Sequence, residues 1–420
     1  MDKYKSQFPP NFFWGASTAS HQVEGGNHNQ WSVWELEVAK EHAQIAHRHL
    51  SNLPGWDTIK ARAEKPDNYV SGRGVDHYKR YKEDFATAKS LNLNAFRFGI
   101  EWSRLEPTEG KWNEKEVEYY RGYIKELRKK GLEPFLNIWH WTMPVWFTDK
   151  GGFAKRENLK YFDRFVQKIA DEYGKDLQYV ITLNEPNVYT VFSYGTGFWP
   201  PQEKNWPKAV WIYRNLVSAH KRAYRILKHS NPSINVGIAG QLSNIQAKRP
   251  HNIIDEVVTK FMRYTYNWWF VNRIRKQQDF VGFNYYFTDY YRGFRKDNPK
   301  VPVNDLGWYM EPEGLYPLLV RAWAHYRKPI IVTENGVADE QDQYRQWWIE
   351  ESIIAMERAL SEGVQVAGYF HWSLLDNFEW AYGWWPKFGL VSVDRQNGMK
   401  REVRTSAKWF AAAIRSKNKK

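Results

Sequence analysis

Eight short apolar runs alternate with longer stretches of helical spacing, and no linker rich in Pro, Gly or Ser interrupts them. These two observations predict one α/β domain over residues 1–420, a single (β/α)8 TIM barrel with long βα loops over its C-terminal face. The runs are residues 12–20, 94–100, 133–140, 179–184, 234–240, 279–286, 329–335 and 366–373. Parallel strands covered on both faces lose the polar alternation of a half-buried sheet, and the last two runs read as continuously apolar. Helical spacing marks residues 76–91, 113–130, 159–173, 207–230, 311–326 and 344–363. Residues 24–75 are too many for a plain connection, so a helix-containing excursion over the barrel mouth is expected there.

Composition narrows the function. Hydrophobic residues make up 42% and charged residues 26%, which fits a globular chain and argues against disorder, collagen or a membrane bundle. Aromatic residues reach 17%, an excess of flat side chains suited to stacking. The absence of cysteine removes disulfides, thiolate nucleophiles, iron–sulfur clusters and Cys-based zinc sites. The net charge of +14 is spread along the chain and ends in a short basic tail, so a solvated surface is expected, with no nucleic-acid partner. No run reaches the roughly 18 apolar residues of a membrane span, and no membrane partner is expected. The first ten residues lack a secretory pattern, which gives an expected cytoplasmic location. Oligomeric state is not legible.

In such barrels chemistry sits where strands end. The fourth run ends in Asn184-Glu185 and the seventh in Glu334-Asn335, and strands four and seven lie across the ring from each other. Two facing carboxylates are the equipment of glycoside hydrolysis, one as acid and the other as nucleophile or base. Other chemistries find no support. His42, His47 and His49 lack zinc-site spacing, and no dinucleotide, phosphate-binding or Gly-x-Ser-x-Gly motif is present. No metal is expected, and no cofactor for catalysis.

Longer motifs then carry a resemblance. Residues 12–25, Phe-Phe-Trp-Gly-Ala-Ser-Thr-Ala-Ser-His-Gln-Val-Glu-Gly, together with 182–187, 333–336 and 368–380, resemble glycoside hydrolase family 1 of the β-glucosidase type, from end to end. The resemblance implies a retaining exo-β-glycosidase in which Glu334 attacks the anomeric carbon and Glu185 protonates the leaving oxygen. It places Arg97 and Tyr286 beside the nucleophile, where a cation and a phenol favour its carboxylate, and Asn184 on the 2-hydroxyl. It also implies that Gln22, His140, Glu379 and Trp380 hold the sugar, that Trp372 stacks beneath it, and that Asn284 lies near the reaction centre. The expected partner is a small β-glycoside, a β-glucoside first, with β-galactosides and β-fucosides open. A carboxylate at Glu379 argues against 6-phosphosugars. Trp199, Trp308 and Tyr309 are candidates for the aglycone side. A carbohydrate-binding or transglycosylating barrel with little net hydrolysis is the alternative.

One departure from the family stands out. Where relatives carry a further segment with a Gly-Asp-Tyr-Pro-like turn and another helix, only residues 271–278 intervene here before the sixth strand. The preceding residues 261–270, Phe-Met-Arg-Tyr-Thr-Tyr-Asn-Trp-Trp-Phe, are too aromatic for a solvent-facing helix. A weak flank over residues 241–278 is expected, with closure by neighbouring loops as the alternative. An apolar ligand or subunit contact near Tyr264 to Phe270 extends that reading.

Overall fold

The computed structural model describes residues 8–417. Eight parallel strands close into a barrel: β1 (Phe13–Ser17), β2 (Ala95–Gly99), β3 (Glu133–Trp139), β4 (Tyr179–Asn184), β5 (Asn235–Gln241), β6 (Val281–Tyr285), β7 (Ile330–Asn335) and β8 (Val366–Trp372). They follow one another around the ring in chain order, and β8 pairs with β1 from Gly368 opposite Phe13 to Trp372 opposite Ser17. Every expected run contains its strand except the fifth, whose strand extends one residue beyond it to Gln241. The main overshoot is the first, where the chain after Ser17 turns into the short helix Ser20–Val23.

Helices cover the outside of the barrel: α1 (His77–Ser90), α2 (Glu114–Lys129), α3 (Leu159–Tyr173), α4 (Trp206–Ser230), α5 (Ile253–Met262), α6 (Leu315–Tyr326), α7 (Arg345–Ser361) and α8 (Thr405–Lys417). The logic of α3 is typical. Leu159, Phe162, Phe165, Val166, Ile169 and Tyr173 recur at helical spacing and are all buried, each contributing about 1.5–3 kcal/mol of transfer free energy. The excursion after β1 holds helices Gln30–Leu50 and Trp56–Ala63, the first capped reciprocally by Asn29 and Ser32.

The barrel interior is divided along its axis. Its lower layer is apolar, built from Phe13, Phe135, Tyr179, Phe280, Ile331 and Phe370. Phe135 and Tyr179 stack with centroids 4.4 Å apart. Gly15 leaves room for this layer, since a Cβ there would sit 2.4 Å from the Phe370 ring. The carboxyl ends of the strands instead carry buried polar groups, among them Arg97, Asn184, Asn284 and Glu334. Chemistry is thus confined to one end of a plugged barrel.

The connection from β5 to β6 is more helical than its sequence suggests. Beyond α5 the chain makes a π-helical turn, Arg263–Trp268, and a short helix, Trp269–Arg273. Most of the aromatic rings are covered by neighbours. Trp268 is buried parallel to His325, Trp269 stacks on Tyr213 at 4.8 Å, and Phe270 is buried. Phe261 and Tyr264 stay exposed. Two small sheets lie outside the barrel. One joins Asn244–Ala247, Thr288–Arg292 and Arg295–Lys296; the other pairs Val391–Asp394 with Lys400–Val403. Among the described residues no helix is long and apolar enough to cross a membrane.

Candidate active site

Residues Glu185 and Glu334 follow or end β4 and β7 and meet in one cavity of about 250 Å³ at the carboxyl end of the barrel. Glu185 occupies the left-handed backbone region, φ 42°, between Asn184 and Pro186, while its amide donates to the Ala239 carbonyl at 2.6 Å. Such a conformation in a non-glycine residue is costly, so the surrounding structure must hold it.

The two carboxyl groups have different surroundings. Arg97, fully buried on β2, donates to Glu334 Oε1, and the Tyr286 hydroxyl donates to Oε2 at 2.5 Å. A buried guanidinium needs such a partner, and a carboxylate can accept on both oxygens. Glu185 has only the Asn284 amide, donating to Oε1 at 2.8 Å. Burial, and then the negative charge of Glu334, push its pKa well above the ordinary carboxylate range, which favours its protonated form.

Asn184 links the two. Its Oδ1 accepts from Arg97 at 2.6 Å and from Asn284 at 3.3 Å. This fixes the amide orientation, and Nδ2 is turned toward His140 Nε2 at 3.0 Å. Burial, reinforced by the Arg97 charge, holds His140 well below its ordinary pKa, so its ring is neutral. A neutral imidazole accepts at one nitrogen only. Asn137 Nδ2 lies 3.1 Å from Nδ1 and Asn184 Nδ2 lies at Nε2, so only one of these two amides donates to the ring. The Thr333 hydroxyl donates to Asn284 Oδ1 at 2.6 Å, which orients that amide too.

Farther along, Glu379 accepts from Asn377 at 3.1 Å and sits 3.5 Å from the Gln22 amide, which also donates to the Phe378 carbonyl. Burial raises the Glu379 pKa to about 8; the Asn377 bond works against this and the Glu334 charge adds to it. Gln22 Oε1 is buried with no partner, a free acceptor beside Glu379. His140, Trp372, Glu379 and Trp380 line the cavity with the two catalytic candidates and Tyr286. Arg97, Asn184, Asn284 and Gln22 are not among its lining residues, and each contacts one that is: Glu334, His140, Glu185 and Glu379 respectively.

The outer part of the cavity is aromatic. Trp199 and Trp308 line it as the sequence suggests, while Tyr309 does not and packs near Tyr290 instead. Phe192, Phe198, Gln241, Tyr266, Phe287 and Tyr382 also line it, and none is marked by a motif. Phe192 and Tyr266 sit on the two π-helical turns, Val191–Gly195 and Arg263–Trp268, whose altered period turns side chains inward. Among the described residues no group of three or more His, Cys, Asp or Glu side chains is placed to hold a metal ion.

Paired carboxylates of unlike environment, in a tryptophan-lined cavity at the mouth of a (β/α)8 barrel, define the class of barrel glycosidases. The family model for glycosyl hydrolase family 1 matches residues 4–275 and 270–419, and the chain belongs to that family. The two matches meet at 270–275, where the connection to β6 is short. Beta-glucosidase A of Thermotoga maritima is 30% identical, covering 98% of each chain. The chloroplastic galactolipid galactosyltransferase of Arabidopsis thaliana is 28% identical over 96% of this chain and 72% of its own length. Among solved structures, a β-glycosidase from Pyrococcus horikoshii superposes with a TM-score of 0.85 at 32% identity, covering 98% of this chain and 95% of that one.

Proposed function

We propose that the protein is a retaining exo-β-glycosidase acting on β-glucosides, with β-galactosides and β-fucosides as further candidates. One observation carries the reading: Glu185 and Glu334 face one cavity in unlike settings. Glu334 receives hydrogen bonds from Arg97 and Tyr286 on both oxygens, and Glu185 only one from Asn284, with burial and Glu334 raising the Glu185 pKa. In the first step a Glu334 oxygen forms a bond to the anomeric carbon as the glycosidic C–O bond breaks. The electron pair leaves on the aglycone oxygen, which takes the Glu185 proton. Asn284 occupies Oε1 of Glu185, leaving Oε2 to carry that proton. In the second step Glu185, now a carboxylate, removes a proton from water, which attacks the same carbon and frees Glu334.

Asn184 retains one Nδ2 hydrogen beyond its His140 bond, and that hydrogen is the donor to the 2-hydroxyl. Glu379 and Gln22 offer acceptors to the outer hydroxyls, Trp372 and Trp380 offer apolar faces, and His140 positions Asn184. Glu334→Ala abolishes turnover of aryl β-glucosides, and added azide restores part of it as α-glycosyl azide. Glu185→Ala loses more activity on poor leaving groups than on nitrophenyl glycosides. Initial release of the α-anomer in proton NMR overturns retention.

The aromatic outer cavity also favours transfer to an acceptor sugar or alcohol, since stacked rings can hold an acceptor in place of water. The galactosyltransferase relative is consistent with that second reading. Chromatography of products made with an excess alcohol acceptor separates the two: free sugar alone excludes transfer.

A further inference from the structure

Helix α5 is amphipathic the wrong way round for a solvated helix. Its inward face buries Asp255 and Thr259 with Val258, while Ile253, Ile254, Val257 and Phe261 point out at 79%, 64%, 60% and 57% exposure. The stripe at i, i+4 and i+8 continues to Tyr264 on the π turn. A second element extends it. The Gly293 amide donates to Asp255 Oδ1 at 2.8 Å, which sets the hairpin tip against the start of α5 and presents Phe294 at 79% exposure beside it.

The same region is strongly basic. Residues 248–300 hold eleven Lys and Arg against five Asp and Glu, a net +6. Four of the acidic groups are already paired, Asp255 with Arg249, Asp279 with Lys228, Asp289 with Lys296 and Asp297 with Arg292. Lys260, Arg295 and Lys300 are exposed and form no ion pair among the described residues. An apolar stripe with a cationic rim is what a helix lying in the plane of an anionic bilayer requires. The expectation of no membrane partner rests on the absence of a spanning segment, which says nothing about a helix lying on the surface. A second copy of this chain fits less well, because two such rims would meet with like charge.

We propose that the face formed by α5 and the Arg292–Arg295 hairpin tip docks on anionic lipid surfaces. Tyr266, Phe287 and Lys296 line the nearby active-site cavity, so docking sets its mouth beside the headgroups. The test is co-sedimentation of the full chain with phosphatidylcholine vesicles, with and without phosphatidylglycerol. Binding to the anionic vesicles, weakened by salt, is expected. Combining Ile253→Ser, Val257→Ser and Phe261→Ser, or Arg295→Glu with Lys300→Glu, weakens it about tenfold or more while nitrophenyl glycoside turnover stays at the wild-type rate, which also reports folding. Absence of binding to anionic vesicles, or equal binding by the variants, overturns the proposal. So does sedimentation velocity showing a dimer that the serine variant dissolves while vesicles are ignored.

Discussion

At the scale of single residues, Tyr286 is one of two donors that orient Glu334. Removing its hydroxyl leaves the ring in place against Trp308 and Phe388. A hydrogen bond to a charged group contributes about 1.5–3 kcal/mol, so Tyr286→Phe lowers kcat roughly tenfold to a hundredfold with little change in KM. A KM rise at unchanged kcat assigns the hydroxyl to substrate binding instead. Glu379 gives a prediction about stability. Its pKa rises from 4.5 to about 8 on folding, so between those values the folded form holds a proton that the unfolded form releases. The stability this contributes is complete below pH 4.5 and is lost as pH climbs toward 8. Glu379→Gln keeps the shape and removes the titration. Its melting temperature should fall less than that of the parent between about pH 5 and about pH 9, and parallel curves exclude Glu379 as a source of the dependence.

Helix α5 shows how an element can be held without an apolar inner face. Asn252 caps it, its side chain accepting from the Asp255 amide at 3.1 Å, and Asp255 anchors Arg249 and Gly293 in turn. Asn252→Ala removes the cap and costs about 1 kcal/mol, expressed as local opening rather than global unfolding. Hydrogen exchange should quicken across Ile253–Met262 and leave β4 and β7 unchanged. Unaltered exchange in α5 shows that side-chain anchoring alone secures it. The flank expected to be weak from its sequence is thus a mixture: rings 268–270 are closed over by Tyr213 and α6, and the outer stripe is open.

For the whole molecule, closure of the ring is what makes a site. Strands β1 and β8 are the most distant in sequence, and α8 covers their seam, with Phe410 packing against Trp14 and Tyr369 at 6.1 and 6.0 Å. Deleting residues 405–420 bares these rings and the outer face of the closing strands. The truncated chain should lose cooperative unfolding and its near-ultraviolet dichroism, because the packing of Phe410 on Trp14 and Tyr369 across the seam is gone. A truncated protein with parental melting behaviour shows that closure does not depend on α8.

The eight strands were legible because each is a compact apolar run bounded by polar residues, a pattern that parallel strands covered on both sides must produce. Glu185 and Glu334 were legible for the same reason, each standing where such a run stops. The helix α5 was not, because its apolar residues face away from the protein and its pattern runs into aromatics that a π turn throws out of helical register. Neither could the sequence show that Asn184 joins both carboxyl groups through Arg97 and Asn284, or that Phe192, Gln241, Tyr266 and Tyr382 share one cavity wall. Local composition reports whether a residue is to be buried and on which period. Which buried groups become neighbours, and therefore which glutamate is paired with a cation and which is not, is set only when distant strands close the ring and remove the water between them.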